Sequence, residues 1–384
     1  MFPGHGYRYI YDTYTLKLKD MDCNHYCIIM AGGTRSRFWP MSREERPTQF
    51  LDIAGGGMTF LRMTYERCAG IVPAENILVV TLDRYRDHVL AQIPELPEEN
   101  LLLEPYGRNT APCLTYAMYT LLKRNPDSVM AATPADLVIS DGELFRETMR
   151  NAFDYAAEND VLMTLGVVPS YPDTNFGYIQ VQGGRVDAFS DKPLKVKTFT
   201  EKPDEELAAV FCKSGEFFWN SGILVCRTGV IREEMERFLP EITSLFADWG
   251  KFIGTPGEEE FIRRAYTDCP KVSIDYGVME KTDRAWLCPA KFGWSDINCW
   301  EALYRQLPHK DDGGNAVDTD KCLSDGNRDC LIVSRTPGKL IAVKGLENYI
   351  VVDTDDVLLV CPKDDKTFRD FISGLGMPDF EDFR

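Results

Sequence analysis

A glycine-rich loop after the first apolar strand carries residues suited to phosphate binding. The strand Tyr26–Ala31 runs directly into Gly32 and Gly33, and Arg37 follows closely. Two glycines let the backbone approach a ligand, and successive N–H groups with an arginine can cradle a triphosphate. The loop lacks the Gly-Lys-Ser/Thr of a Walker P-loop and the G-x-G-x-x-G of dinucleotide-binding proteins. A tight turn explains two glycines equally well, so the loop alone is weak support for a nucleotide site.

Two aspartates stand where other predicted strands end. Asp136 follows the apolar run 129–133 in A-A-T-P-A-D, and Asp296 lies in G-W-S-D-I-N-C-W. Ligands of open α/β sheets bind outside the carboxyl ends of the strands. Two carboxylates there suit Mg²⁺, which prefers a few hard oxygen ligands together with substrate phosphates. Taken singly, each aspartate also fits a turn or a helix N-cap.

These residues belong to a series of short motifs in a fixed order. The motifs are G-G-T-R-S-R-F-W-P-M-S-R (32–43), P-T-Q-F-L (47–51), E-P-Y-G-R-N-T-A-P (104–112), P-A-D (134–136), N-F-G-Y-I (175–179), F-T-E-K-P-D (199–204), F-W-N-S-G (218–222), S-I-D-Y-G-V-M-E-K (273–281) and G-W-S-D-I-N-C-W (293–300). In this order and at these spacings, the sequence resembles the mannose-1-phosphate guanylyltransferases, also called GDP-mannose pyrophosphorylases, of the nucleotidyltransferase superfamily. The resemblance covers roughly residues 25–361.

The resemblance implies Mg²⁺-dependent transfer of GMP from GTP to mannose 1-phosphate, giving GDP-mannose and pyrophosphate. The residues that it assigns to the nucleotide and its phosphates are Gly32, Gly33, Arg35, Arg37, Glu104, Arg108, Asn109, Thr110, Pro134 and Ala135. The residues that it assigns to the hexose are Gly177, Glu201 and Asn220. It further implies that Asp136 and Asp296 bind the metal and that Lys202 pairs with the sugar phosphate. The expected catalytic residues are Arg37, Lys202, Asp136 and Asp296.

Three positions depart from the family pattern. The family loop usually reads G-G-x-G-[TS]-R, and Arg35 stands where its third glycine would be. The family motif P-K-Q-F-L has a lysine thought to meet the transferring phosphates, whereas this chain has Thr48. Loss of such a cation costs about 10² to 10³ in rate if nothing replaces it. We hypothesise that Arg35 replaces it. Leu137 stands where the family commonly has histidine, a difference with less evident chemical meaning.

The elements that must position these residues follow an alternating pattern. From Tyr26 to Val168, near-continuous apolar strands alternate with helical stretches, which is typical of a parallel sheet covered on both faces. We therefore predict an α/β fold with a doubly wound, mostly parallel, Rossmann-like sheet. Helices are expected over Pro203–Ser214, Val230–Asp248 and Glu258–Tyr266.

The C-terminal part differs in pattern. Short strands at Cys330–Ser334, Lys339–Val343, Tyr349–Asp353 and Val357–Cys361 indicate a small all-β module, either sandwich-like or coiled as a β-helix. The family resemblance favours a left-handed β-helix. The predicted organisation is an N-terminal extension over 1–24, a nucleotidyltransferase domain over 25–309, a linker over 310–320, and the β module with an acidic tail over 321–384.

The composition of the chain excludes some classes of binding partner. The 384 residues carry a formal net charge of −17, which disfavours nucleic acid and anionic membranes as partners. No apolar run approaches the roughly 18 residues of a membrane-spanning helix. The 12 cysteines are scattered singly without a C-x-x-C pair, which suits reduced thiols in a cytoplasmic protein. The family resemblance implies GTP, mannose 1-phosphate and GDP-mannose as the partners.

Other interpretations stay open at the level of sequence. Arg35 and Thr48 also fit a regulatory paralogue that binds a nucleotide sugar with weak or no catalysis. A third interpretation keeps the enzyme class but changes the hexose 1-phosphate or the nucleotide, because such selection depends on a few hydrogen bonds. Apolar positions in the β module fit a homodimer contact and internal packing equally well.

Overall fold

The chain divides into two compact units. A computed structural model describes residues 24–34, 38–53, 55–183, 192–297, 299–307, 309–363 and 368–383. The large unit contains residues 24–32 and Leu61–Ser295, and the small unit contains Gly33–Phe60 and the residues from Asp296 onward. The predicted N-terminal extension, apart from Asn24, lies outside the described residues.

Within the described residues, the strands from His25 to Asp296 are β1 (His25–Met30), β2 (Ile77–Leu82), β3 (Leu101–Glu104), β4 (Val129–Pro134), β5 (Leu137–Ile139), β6 (Leu162–Val167), β7 (Tyr178–Val181), β8 (Leu194–Thr200), β9 (Phe217–Arg227), β10 (Ala285–Ala290) and β11 (Trp294–Asp296). Nine of them form a mixed sheet with the order β3-β2-β1-β4-β9-β6-β10-β8-β7, and β5 pairs with β11 in a separate two-stranded sheet. Strands β1 to β4 pair in parallel, as do β6 and β10. Strand β9 is antiparallel to β4, β6 and β7, so the predicted α/β sheet is confirmed with an antiparallel strand at its centre.

Helices cover both faces of this sheet. They are α1 (Phe60–Ala69), α2 (Arg86–Gln92), α3 (Thr110–Arg124), α4 (Gly142–Glu158), α5 (Glu205–Ser214), α6 (Thr228–Phe238), α7 (Pro240–Phe246) and α8 (Glu258–Asp268). Ile28 of β1 faces a core shared with α3, α6, α7 and α8. On the opposite face, the ring of His25 stacks on Phe153 of α4 at 4.5 Å. Alternate residues of one strand therefore face different helical layers, as doubly wound folds require.

The segment Val230–Asp248, predicted as helical, consists of two helices. Helix α6 ends at Phe238, and α7 begins at Pro240. Proline has no backbone N–H and is tolerated at the first position of a helix, so Pro240 starts a new helix rather than continuing the old one.

The small unit contains a coil of short strands. They are β12 (Ala316–Asp318), β13 (Lys321–Asp325), β14 (Leu331–Ser334), β15 (Leu340–Lys344), β16 (Tyr349–Asp353) and β17 (Leu358–Pro362). Strands β12, β14 and β16 pair in parallel, and β13 pairs in parallel with β15. Alternate strands in sequence thus stack into successive rungs of two sheets, with Ile332, Ile341 and Val351 in one apolar cluster. Strand β12 lies within the predicted linker 310–320.

Residues from the N-terminal half complete the small unit. Arg43 forms an ion pair with Asp356 at 2.6 Å. The indole Nε1 of Trp39 donates to the backbone oxygen of Phe383 at 2.7 Å, and that of Trp300, in α9 (Trp300–Gln306), donates to the backbone oxygen of Trp39 at 3.0 Å. The segment after the glycine loop is therefore held by the C-terminal part of the chain. A last helix, α10, spans Phe368–Ser373.

No helix in the described part of the chain is long and apolar enough to cross a membrane.

Candidate active site

Three of the four adjacent parallel strands β3, β2, β1 and β4 bring candidate residues to the same edge of the large-unit sheet. Gly32 follows β1, Glu104 is the last residue of β3, and Asp136 follows β4. Backbone hydrogen bonds fix these ends: the Ala31 amide donates to the Val80 oxygen at 2.8 Å, and the Ala135 amide donates to the Met30 oxygen at 3.2 Å. This edge is where ligands of open α/β sheets bind.

Gly32 and Glu104, two of the residues expected to bind the nucleotide, lie against each other. A Cβ added to Gly32 would lie 2.7 Å from Glu104 Oε2, so only glycine lets the loop pass this carboxyl group without a shift. Glu104 is buried, and the Tyr266 hydroxyl donates to its Oε1 at 2.9 Å. Burial raises the pKa of Glu104 to about 8, and the Tyr266 hydrogen bond offsets only part of that effect. The carboxyl group is therefore mostly protonated at neutral pH.

Arg108, Asn109 and Thr110 lie between β3 and α3, as the motif predicts, and they make contacts within the protein. Asn109 is the N-cap of α3, with a positive φ of 71°. The Thr110 hydroxyl accepts from the Ile274 amide at 2.9 Å. Arg108 donates through Nε and Nη2 to the backbone oxygens of Tyr266 and Thr267 at 3.1 and 3.2 Å. These side chains tie the nucleotide motif to α8 and to the segment before residue 275.

Pro134, Ala135 and Asp136 form the end of β4 and the turn to β5. A Cβ on Gly222, which has a φ of 77°, would lie 3.1 Å from Pro134 Cγ. The Thr64 hydroxyl donates to the Ala135 oxygen at 3.1 Å. Asp136 is 9% exposed, so this carboxylate reaches the surface only at its edge. Leu137, at the family's histidine position, is a buried core residue of β5.

The three predicted sugar residues lie together. Gly177 precedes β7, Glu201 follows β8, and Asn220 lies in β9, which are neighbouring antiparallel strands. A Cβ on Gly177 would lie 2.6 Å from Glu201 Oε2 and 3.4 Å from Asn220 Cβ. The backbone N–H of Asn220 also donates to the backbone oxygen of Gly177 at 2.8 Å. Lys202 forms an ion pair with Glu201 and keeps a side chain that is 56% exposed.

Lys202 has an unusual backbone. Its φ is 47°, a left-handed conformation that residues other than glycine rarely adopt and that costs about 1 kcal/mol or more. The Asp204 side chain accepts from the Leu207 amide at 2.8 Å and caps the following helix, α5. Such strain is common at functional sites, because the surrounding structure holds a side chain where it acts.

The structure adds Asp275, to which the sequence analysis gave no role. Asn220 Nδ2 donates to Asp275 Oδ1 at 3.0 Å. The pKa of Asp275 is raised to about 7, mainly by burial and further by Glu201, while Lys202 and the Asn220 hydrogen bond act in the opposite direction. The available signal was the motif at 273–281, whose aspartate begins the π-helical turn Asp275–Met279.

The remaining predicted residues belong to the small unit or lie outside the description. Arg35 and Arg37 lie outside the described residues, as does the side chain of Asp296, whose backbone belongs to β11. Gly33 accepts through its backbone oxygen from Gln49 Nε2 at 2.8 Å. Thr48 is buried in the 3₁₀ turn Thr48–Phe50.

The chain matches two family profiles. One is described as "Nucleotidyl transferase" and matches residues 26–312. The other is described as "MannoseP isomerase/GMP-like beta-helix domain" and matches residues 316–367, which confirms the β-helix expectation for the coil of the small unit.

Curated relatives match most of the chain. A mannose-1-phosphate guanylyltransferase of Escherichia coli and another of Klebsiella pneumoniae are each 37% identical over 342 residues, which is 87% of this chain and 70% of each relative. The alginate biosynthesis protein AlgA of Pseudomonas putida is 36% identical over 88% of this chain and 68% of its own length. Among solved structures, a mannose-1-phosphate geranyltransferase from Thermus thermophilus is 30% identical with a TM-score of 0.79, covering 92% of this chain and all of that one.

Proposed function

We propose that this chain, which belongs to the nucleotidyl transferase family, is a mannose-1-phosphate guanylyltransferase. A phosphate oxygen of mannose 1-phosphate attacks the α-phosphorus of GTP, and the bond between the α-phosphorus and the bridging oxygen of pyrophosphate breaks. The products are GDP-mannose and pyrophosphate. The observation that carries this conclusion is 37% identity to a curated enzyme of that activity over 87% of the chain.

The sugar side of the site supports this reaction chemically. Glu201 and Asn220 offer acceptor and donor groups for hydroxyl groups of a hexose, with Gly177 leaving room beside them. Lys202 carries a compact ammonium group that pairs with the phosphate of mannose 1-phosphate. The Glu201 carboxylate beside Lys202 holds this cation at the site in the absence of substrate.

The nucleotide side accepts GTP near Gly32 and Glu104. A mostly protonated Glu104 offers both a hydrogen-bond donor and an acceptor in a dry environment, which suits recognition of a base edge. Arg35 and Arg37, which follow Gly33 in the sequence, would neutralise the triphosphate as charge develops in the transition state. Pro134 ends β4, and the buried Ala135 follows it next to Asp136.

Mg²⁺ would be held by Asp136 and Asp296 together with substrate phosphates. Within the described residues, no group of three or more His, Cys, Asp or Glu side chains forms a metal cluster. A donor set of two carboxylates fits Mg²⁺ because this ion keeps waters and takes several of its ligands from the substrate. When bound, the ion supplies charge neutralisation to the transferring phosphoryl group. Asp136 would offer a carboxylate to the ion from the turn between β4 and β5, where it is largely buried.

A cytoplasmic location is part of the proposal. The 11 cysteines in the described part of the chain form no disulfide bonds there, and most of them are buried in the core. Reduced core cysteines are typical of cytoplasmic proteins.

The test is release of pyrophosphate from GTP and mannose 1-phosphate in the presence of Mg²⁺. We expect release that requires both substrates and falls at least 100-fold in an Asp296→Ala protein. ATP, UTP and glucose 1-phosphate serve as substrate controls. Absence of release from every substrate pair, together with measurable binding of GDP-mannose, would contradict the enzymatic activity and favour the regulatory interpretation.

A further inference from the structure

Asn220 is held at both ends of its side-chain amide. Its Oδ1 accepts from the Thr164 hydroxyl at 2.8 Å and from the Gly222 amide at 3.2 Å. Its Nδ2 donates to Asp275 Oδ1 at 3.0 Å. An amide oxygen accepts two hydrogen bonds and an NH₂ group donates two, so one N–H of Asn220 is left for a ligand. The side chain presents that single donor in a fixed direction.

The acceptor of this arrangement stands on a rigid support. Asp275 begins the π-helical turn that ends at Met279. The preceding residue, Ile274, donates its amide to the Thr110 hydroxyl at 2.9 Å. Within the turn, a Cβ on Gly277 would lie 2.8 Å from Leu239 Cδ1, so the turn packs closely against the end of α6. Asp275 therefore has little freedom to follow a moving Asn220.

Glu201 and Lys202, the charged groups that act on Asp275, shift its pKa in opposite directions. Glu280 lies beside Glu201, since its Oε1 accepts from the Glu201 backbone N–H at 3.2 Å. The hydrogen bond from Asn220 needs only an acceptor oxygen, which the carboxyl group offers whether it is ionised or neutral.

We propose that Asp275 is a positioning residue for mannose 1-phosphate: it accepts from Asn220 Nδ2 and so directs the remaining N–H of Asn220 towards a hexose hydroxyl group. The proposal rests on the proposed function, because it assumes that Asn220 contacts the sugar. Asp275 acts through Asn220 and takes no part in the chemical step.

Steady-state kinetics of four variants and one control variant test this role. We expect Asp275→Ala to raise the KM for mannose 1-phosphate about 10- to 100-fold with the KM for GTP within twofold of wild type. Asp275→Asn keeps an acceptor oxygen at the same place, so its KM should stay within about threefold of wild type. Asn220→Ala should match Asp275→Ala, and the double variant should be little worse than either single variant. Asp154→Ala, at an exposed position of α4, is the matched control.

Several results would overturn the proposal. Additive effects in the double variant would mean that Asp275 acts independently of Asn220. A loss in Asp275→Asn as large as in Asp275→Ala would mean that its charge matters rather than its acceptor oxygen. An equal rise in both KM values, or a fall in melting temperature that accounts for the lost activity, would indicate a structural role only. An inactive wild-type protein would instead refute the proposed function.

Discussion

The proposed nucleotide side and the proposed sugar side of the large unit share one arrangement of residues in two different environments. On each side, a glycine passes a carboxylate so closely that a Cβ would lie within 3 Å of it: Gly32 against Glu104 and Gly177 against Glu201. Glu104 is buried and held by the neutral hydroxyl of Tyr266. Glu201 is paired with the Lys202 ammonium group and stays partly exposed.

The difference matches the ligands that we propose for the two sides. Buried, neutral hydrogen-bonding groups suit an uncharged ring such as a base. Paired charges near water suit a sugar phosphate, whose negative charge would replace that of Glu201 as the partner of the ammonium group. The pKa values agree with this division. The pKa of Glu104 is raised to about 8 with no cation among the causes. The pKa of Asp275 is raised to about 7, and Lys202 acts against that rise.

The largest expected effect comes from removing the cation of the sugar side. Lys202→Ala should lower kcat/KM about 10²- to 10³-fold, because a phosphate-stabilising charge is lost from the site. Lys197→Ala, at an exposed position of neighbouring β8, should retain near-normal activity. Both proteins should melt at nearly the wild-type temperature. A Lys202→Ala protein with full kcat/KM would show that the cation has no part in the reaction.

The two glycines allow a matched comparison. Gly32→Ala should weaken the binding of GTP about 10-fold or more and lower the melting temperature, because the buried Glu104 has no room to move. Gly177→Ala should instead weaken the binding of mannose 1-phosphate by a similar factor with little loss of stability, because the Glu201 side chain can move towards water. KM values for both substrates and thermal melts of both variants test this comparison. If both variants raised the KM for the same substrate, the distinction between the two sides would be wrong.

Glu104 should make stability depend on pH. Its pKa is about 8 in the folded chain against an ordinary value of 4.5, so the folded state holds a proton that the unfolded state loses in this interval. This contribution is complete below about pH 4.5 and is lost as the pH rises to about 8, at about 1.4 kcal/mol per pH unit. A Glu104→Gln protein lacks this term. Denaturant unfolding between pH 5 and 8 should therefore show that the free energy of unfolding of wild type falls relative to that of the variant as pH rises. An equal pH dependence in the two proteins would contradict the raised pKa of Glu104.

The smallest effect concerns the link between the two sides. Thr110→Val removes the hydroxyl that accepts from the Ile274 amide, which should cost about 1 kcal/mol of stability. Because this contact supports the segment that carries Asp275, the KM for mannose 1-phosphate should rise a few-fold while the KM for GTP changes less. Thr110→Ser is the control, since it keeps the hydroxyl. A rise in the KM for GTP alone would show that Thr110 contacts the nucleotide instead.

Much of this organisation could be read from the sequence. The alternation of buried strands and helices predicted the α/β sheet, since β2 and β4 are continuous apolar runs. The family resemblance implied that Gly177, Glu201 and Asn220 would serve one ligand, and the antiparallel strands β7 to β9 bring them together. Their roles, like those of Asp136, Arg37 and Lys202, stay predictions that the experiments above address.

Other features depend on contacts between distant segments and leave no local signal. The antiparallel direction of β9 follows from the path of the chain before it, which no pattern of apolar residues encodes. The hydrogen bond between Asn220 and Asp275 joins residues 55 positions apart. Likewise, the grouping of Gly33–Phe60 with the C-terminal coil rests on pairs such as Arg43 and Asp356.

Calorimetric titration of GDP and GDP-mannose into wild type and Asn220→Ala tests the division of the site most directly. The account predicts that wild type binds GDP-mannose more tightly than GDP, and that Asn220→Ala removes most of that difference while its affinity for GDP is unchanged. An equal loss of affinity for both ligands in the variant would contradict it.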